Sequence, residues 1–269
     1  MRTTIDSYKS RAGRLDLDGI EFDDFRDHPL PPGALRSLRY MHDVEHHTVC
    51  YLRDLLLTPA HQDPEITSFL SCWVFEEMWH GEATGRVLEA HGELAGGPRI
   101  AALRQRHRRQ QALTTMSTIA SAAFAGRAFI ALHMTWGAIN EWTTQAGYGR
   151  LCEAAGHPTL RELLRRIMKQ EGGHIDFYAS EAGRRLAESP RAQKLTRFAL
   201  KHSWRLVGSG VMPKKEVDFL VRYLFDGPDG TATAARIDRR IDRLPGQCDL
   251  HLLQNAITKL TLHPVAASA

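Results

Sequence analysis

Hydrophobic positions along this chain recur three and four residues apart over long stretches, and no segment sustains the period-two alternation of a half-buried strand. Residues 34–57 carry the stripe Leu38, Met41, Val44, Glu45, Thr48, Leu52 and Leu55, stopped by Pro59 and the turn residues 61–64. A second helix is expected over residues 66–91, with Gly92 and Gly96-Gly97-Pro98 as breakers. Residues 99–111 read as a basic helix or half-helix. Small residues 117–126 then feed a long helix to about residue 155, closed by Gly156-His157-Pro158. Thr159, with Glu162 three residues on, has the pattern of a capping box for a helix to about residue 187. Ser189-Pro190 opens another, to about residue 207. A short amphipathic segment comes next at 214–225, then a turn at 226–230, and two C-terminal helices at 231–243 and 250–262. Residues 1–33, polar and proline-rich at their end, read as an extended arm that wraps the domain or frays. The expectation is an all-α chain: one long-helix bundle domain over 34–269 with additional C-terminal helices.

Composition narrows the function classes. Of 269 residues, 43% are hydrophobic and 25% charged, which is globular composition and not that of a disordered chain. The net charge of +4 permits an acidic partner but gives little support to nucleic-acid binding. The densest basic run is Arg104, Arg106, His107, Arg108 and Arg109, which an acidic carrier could use or which is a solvated helix face. Cys50, Cys72, Cys152 and Cys248 stand too far apart for a zinc knuckle or a rubredoxin-type iron site, so reduced thiols and a cytoplasmic setting are expected. The N-terminus lacks the apolar run of a signal peptide. The most apolar stretch, residues 118–142, is interrupted by Arg127, His133, Asn140 and Glu141, so it reads as a buried helix and not a membrane span.

The chemistry concentrates in two Glu-x-x-His segments, Glu77 to His80 and Glu171 to His174. Positions three apart share a helix face, so a carboxylate and an imidazole can reach one metal centre. Each segment lies on an inward stripe: Leu70, Trp73, Glu77, His80, Thr84 and Leu88 in the first, and Leu164, Ile167, Glu171, His174 and Tyr178 in the second. Burying an unpaired carboxylate costs several kcal/mol, so a compensating cation is expected. The preceding helices each add an inward acid. Glu45 sits among Leu38, Met41, Thr48 and Leu52, and Glu141 among Met134, Gly137, Thr144 and Tyr148. Glu45 precedes Glu77 by 32 residues and Glu141 precedes Glu171 by 30, one helix, a turn and a return in both cases. Four glutamates and two histidines on four helices are the ligand set of carboxylate-bridged di-iron and di-manganese bundles. Four carboxylates neutralise two divalent cations, and oxygen and imidazole donors suit iron or manganese. The alternative is a salt-bridged or degenerate core.

The segments Phe75-Glu76-Glu77-Met78-Trp79-His80-Gly81, Asn140-Glu141-Trp142-Thr143-Thr144 and Lys169-Gln170-Glu171-Gly172-Gly173-His174 resemble motifs of the ferritin-like superfamily, most closely those of the acyl-carrier-protein desaturases. The resemblance covers residues 35–225 approximately. It implies a ferritin-like four-helix bundle core with Glu45 and His80 on one metal, Glu141 and His174 on the other, and Glu77 and Glu171 bridging. It also implies that Thr144 presents its hydroxyl to the oxygen-binding side, the other reading being a bond to its own helix backbone. Two iron ions (Fe2+/Fe3+, with manganese possible) are the implied cofactor. O2, an acyl chain on acyl carrier protein, a ferredoxin-like external electron donor and a homodimer are the implied partners. Family members carry Asp where this chain has Gln170, and Gly172-Gly173 is unusual inside a ligand motif. The glycines call for a closely packed neighbour or a local helix distortion. Desaturation and hydroxylation remain undivided, and a ferroxidase or peroxide-scavenging protein shares the same ligands. A deep apolar cavity favours the oxidase, and a small sealed site the ferroxidase.

Overall fold

In the computed structural model, which describes residues 4–262, all regular elements among the described residues are helical. They are α1 (Ile5–Lys9), α2 (Asp24–Asp27), α3 (Pro32–Glu45), α4 (Thr48–Leu56), a 3-10 turn (Pro59–Gln62), α5 (Pro64–Ala90), α6 (Gly96–Ala125), α7 (Ala128–Ala155), α8 (Pro158–Ala187), α9 (Pro190–Ser203), α10 (Lys214–Phe225), α11 (Gly227–Ile241) and α12 (Leu252–Leu262). The first few residues of the arm and the last few of the domain, as expected from the sequence, lie outside the described residues.

Helices α3, α5, α7 and α8 bring their apolar stripes together. Leu38, Leu70, Leu88, Met134, Leu164 and Ile167 are fully buried between them. Each such side chain contributes roughly 1.5–3 kcal/mol on leaving water. Helix α10 lies across α3 and α7, tied by the Arg36–Glu216 ion pair at 2.8 Å.

Several boundaries differ from the periodicity. The helix expected over 34–57 breaks directly after Glu45. His46 and His47 form a tight turn, with the His47 amide donating to the Val44 carbonyl at 2.9 Å and the Thr48 hydroxyl to that of Glu45 at 2.6 Å. Gly96-Gly97-Pro98 does not break a helix but opens one. Gly96 has φ +62°, and Pro98 occupies the first turn, where no backbone N–H is needed. The basic segment and the small-residue segment are therefore one 30-residue helix, α6, and Gly126 (φ +58°) makes the turn into α7. Thr159 is not a cap. Pro158 takes the first helical position of α8, so the cap falls on His157, whose Nδ1 accepts from the Leu160 amide at 3.4 Å. Thr159 instead donates to Asp24, and Glu162 pairs with Arg165 and Arg166. Residues 227–230 are not a turn but the start of α11, capped by Asp226.

Over the described residues 4–33 the arm is not extended throughout. It holds two short helices and buries Tyr8, Leu15, Leu17, Ile20, Phe25 and Leu30. Phe25 stacks on the His157 ring at 4.6 Å. No helix among the described residues is long and apolar enough to cross a membrane.

Candidate metal centre

All six acids and histidines singled out in the sequence converge in the interior, none more than 5% exposed. Their donor atoms form two overlapping quartets, Glu45, Glu77, His80 and Glu171, and Glu77, Glu141, Glu171 and His174. Within each quartet the donor atoms lie within 4.8 Å of one another. Glu77 and Glu171 belong to both. First-row divalent ions hold such donors at about 2.0–2.2 Å, which puts opposite donors ~4.2 Å apart. Each quartet is therefore near the size that closes around one ion.

The imidazoles are oriented by their far nitrogens. His80 Nδ1 faces Glu171 and Glu77 at 3.4 and 3.5 Å, while its Nε2 lies 3.0 Å from Gln170 Oε1. His174 Nδ1 lies 2.9 Å from Glu171, 3.2 Å from Glu77 and 3.9 Å from Glu141, while its Nε2 is 3.0 Å from Glu76 Oε2. The residue before each motif glutamate thus reaches across to the histidine of the other motif. Gln170 is fixed in this role because its amide donates to the Gly13 carbonyl at 3.0 Å, which leaves its oxygen for His80. Glu76 accepts from the Tyr8 hydroxyl at 2.5 Å and from the Gly13 amide at 3.1 Å. Two more donors hold the outer acids: Trp73 Nε1 to Glu141 at 3.0 Å, and the Tyr148 hydroxyl to Glu45.

The electrostatics are those of a crowded acidic site. Burial, with the negative charges of Glu77 and Glu171, pushes Glu45 and Glu141 well above the usual carboxylate range. Burial alone would lower His80, but Glu171 and Glu77 lift it to about 9. His174 is raised well above its usual range by Tyr8 and by Glu171, Glu76 and Glu77, against the effect of burial. Protons do here what cations would do. Two buried atoms, His80 Nδ1 and Glu171 Oε1, have no hydrogen-bond partner although they face each other. Orphaned donor atoms pointing into a cluster of four carboxylates fit a pair of oxygen- and nitrogen-loving cations.

A cavity of about 210 Å³ adjoins the cluster. Glu45, Glu77 and Glu141 form its inner end, and apolar residues of α10 and the α9–α10 connection, among them Val207, Leu220 and Leu224, form its outer wall. Thr144 lines it, one turn beyond Glu141; it is Thr143 that bonds its own helix, donating to the Ile139 carbonyl at 2.8 Å. Tyr178 lines it with a buried hydroxyl that has no partner. Its ring requires Gly137, where a Cβ would stand 2.3 Å away. Neither motif glycine distorts α8. A Cβ on Gly173 would meet the Tyr8 ring at 3.5 Å, an ordinary contact, and one on Gly172 would meet nothing within 4 Å.

Of the histidines near Glu45, His42 is buried against Asp43 at 3.0 Å and accepts from the Gly96 amide, so it serves the fold. His133 contacts the Tyr51 hydroxyl at 3.1 Å. Sequence reasoning missed Glu76, Tyr8 and the indole bond of Trp73. Glu76 had a signal: it precedes Glu77 as Gln170 precedes Glu171. Tyr8, 68 residues from its partner in an arm, had none.

No protein-family model matches the chain, and no curated protein matches it. Among solved structures, three variants of an R2-like ligand-binding oxidase are similar, two reconstituted with a Mn/Fe cofactor and one with Fe/Fe. Each is 19% identical with a TM-score of 0.53, over 95% of this chain and 90% of that one. The chain therefore has the ferritin-like fold of those oxidases.

Proposed function

We propose that this protein is an oxygen-dependent di-metal oxidase that removes hydrogen from an unactivated C–H bond of an apolar substrate. The observation that carries the reading is the pair of buried quartets sharing Glu77 and Glu171 at the inner end of an apolar cavity. Glu45 and His80 would hold one ion and Glu141 and His174 the other, with Glu77 and Glu171, common to both quartets, within reach of both. Iron is the first choice, in an Fe/Fe or Mn/Fe pair, as in the structurally similar oxidases. When bound, such a pair supplies O2 activation and the oxidising power for hydrogen removal. The protein's own residues do the rest. Glu76 and Gln170 fix the imidazole orientations. Tyr148 and Trp73 hold the outer carboxylates. The apolar wall excludes water and lays the substrate chain against Thr144, which places a hydroxyl beside the reacting carbon. This last role makes Thr144 the candidate catalytic side chain.

The substrate we assign is an acyl chain on acyl carrier protein, with desaturation as the outcome, on the strength of the motif resemblance and the apolar cavity. A homodimer and a cytoplasmic location belong to the same reading. The overall stoichiometry takes two hydrogens from the substrate and joins them to O2 with two external electrons and two protons, giving an alkene and two waters. A small sealed site would favour a ferroxidase; the extended apolar lining favours the oxidase. The test is aerobic incubation of the iron-loaded protein with acylated carrier protein and a reductant, followed by mass analysis of the chain. Loss of two hydrogens is expected. Gain of one oxygen would make it a hydroxylase. No change, in a protein whose Glu141→Ala variant binds as much iron as the wild type, would remove the proposal.

A further inference from the structure

Helix α6 packs unlike the other long helices. Over its 30 residues only Ile100, Ala122 and Ala125 are buried. Two contacts fix its inner face: Arg104 donates to the His46 carbonyl at 2.8 Å, and the Thr115 hydroxyl to Asp54 at 2.7 Å. Positions three and four apart share a helix face. Arg106, Arg109, Leu113, Met116, Ala120 and Phe124 therefore form one ridge on the side turned away from the protein. Leu113, Met116 and Phe124 are 69%, 68% and 76% exposed, more than any other large hydrophobic side chain among the described residues. At helical spacing they make a contiguous stripe, which scattered surface residues do not.

The charges on α6 are all of one sign. From Gly96 to Ala125 there is no Asp or Glu. Arg99 is engaged by Asp43 and Arg104 by the backbone, whereas no acid among the described residues pairs with Arg106 or Arg109. Uncompensated cations thus run straight into an exposed apolar stripe on the same ridge. The helix also adjoins the apolar cavity. Gln110 donates to the Gly210 carbonyl at 3.0 Å, in the α9–α10 connection that gives Val207, Gly208 and Val211 to the cavity wall.

We infer that α6 docks this protein on an anionic lipid surface, with Arg106 and Arg109 against the headgroup phosphates and Leu113, Met116 and Phe124 at the boundary of the acyl chains. Such a surface answers both halves of the ridge. A second copy paired two-fold on α6 would set these cations against a helix that has no acid. A purely acidic protein surface would meet the cations and leave the apolar stripe uncovered. Docking in this way brings the outer wall of the cavity beside a store of acyl chains. The inference does not depend on the di-metal reading, and neither does its test.

The full chain is sedimented with vesicles of phosphatidylcholine, either pure or carrying roughly one-third phosphatidylglycerol. Binding is expected to the anionic vesicles, about tenfold weaker to the neutral ones, and falling as salt rises. The Leu113→Gln/Met116→Gln/Phe124→Gln triple variant and the Arg106→Gln/Arg109→Gln double variant are each expected to bind the anionic vesicles about tenfold more weakly. Circular dichroism and melting temperature are expected to match the wild type in both, since all five side chains are exposed. Phe198→Gln, on α9 and 65% exposed, is the control and is expected to bind as the wild type does. A wild type that does not bind anionic vesicles, or an equal loss in Phe198→Gln, would overturn the inference. Binding that needs the arginines but not the apolar three would make the ridge a surface for acidic partners and overturn the lipid assignment. A dimer in sedimentation velocity that the triple variant breaks, without vesicle binding, would give the ridge to a second copy instead.

Discussion

The half of the centre built on α3 and α5 and the half built on α7 and α8 carry the same donors in the same order, yet they hand them to different neighbours. His174 is backed by a carboxylate, Glu76, whereas His80 is backed by a neutral amide, Gln170. Glu141 is held by an indole N–H within an unbroken helix, and Glu45 by a phenol at the last residue of α3. Between glutamate and histidine the first motif carries Met78 and Trp79, and the second two glycines; the arm fills both gaps, laying Arg14 over Trp79 and Tyr8 against Gly173. A carboxylate behind an imidazole makes it a stronger donor than an amide does. Two positions that look equivalent by ligand count are therefore unequal in chemistry, and the inequality was written into residues next to the ligands.

The comparison can be broken most directly at the shared ligands. Glu171→Ala removes a donor from both quartets and is expected to abolish binding of both ions, while Glu45→Ala is expected to cost mainly the ion beside His80. Metal content after iron loading measures this, and equal losses in the two variants would erase the distinction between shared and private ligands. A finer break is Glu76→Gln, which makes the two imidazoles alike. The ion on the His174 side is expected to bind roughly 10–100-fold more weakly, read by titration against a competing chelator. If Glu76→Gln binds as the wild type does, the charge behind His174 does nothing for the metal.

A smaller effect separates α7 from α3 away from the metals. Eight residues before Glu141 stands buried His133, and eight before Glu45 stands Ser37, bonded to the Gly33 carbonyl. Burial lowers His133 from 6.5 to about 3 in the folded chain. Below pH 6.5 the unfolded chain takes up a proton that the folded chain refuses. Stability from this residue is thus full above 6.5 and lost as pH falls toward 3, by up to about 1.4 kcal/mol per pH unit. Urea unfolding of His133→Gln at pH 7 and pH 5 is expected to show a shallower decline than the wild type, and parallel declines would place the ring in a wetter setting.

The convergence of the candidate site was legible because helix periodicity alone puts Glu45, Glu77, His80, Glu141, Glu171 and His174 on inward faces, and acids on such faces demand an explanation. Helix existence was legible for the same reason, and α10 matched residue for residue. Boundaries were not, where one residue had two possible uses. Gly96-Gly97-Pro98 can stop the helix before it or start the one after it, and Thr159 was free to bond Asp24 only because Pro158 moved the cap to His157. Long-range partners were illegible in principle: nothing near Tyr8 in the chain indicates Glu76. Charge clusters are legible in a sequence only when they are contiguous, as in the α6 run. The concavity beside α1 assembles Arg11 and Arg14 with Arg165, Arg166 and Lys169 from distant parts of the chain.

The arm's position also sets an order of events during synthesis. Gly13 waits for Gln170, 157 residues further along, before both of its bonds to the centre's surroundings can form. The arm can thus clasp the groups behind both imidazoles only where α5 and α8 are both in place.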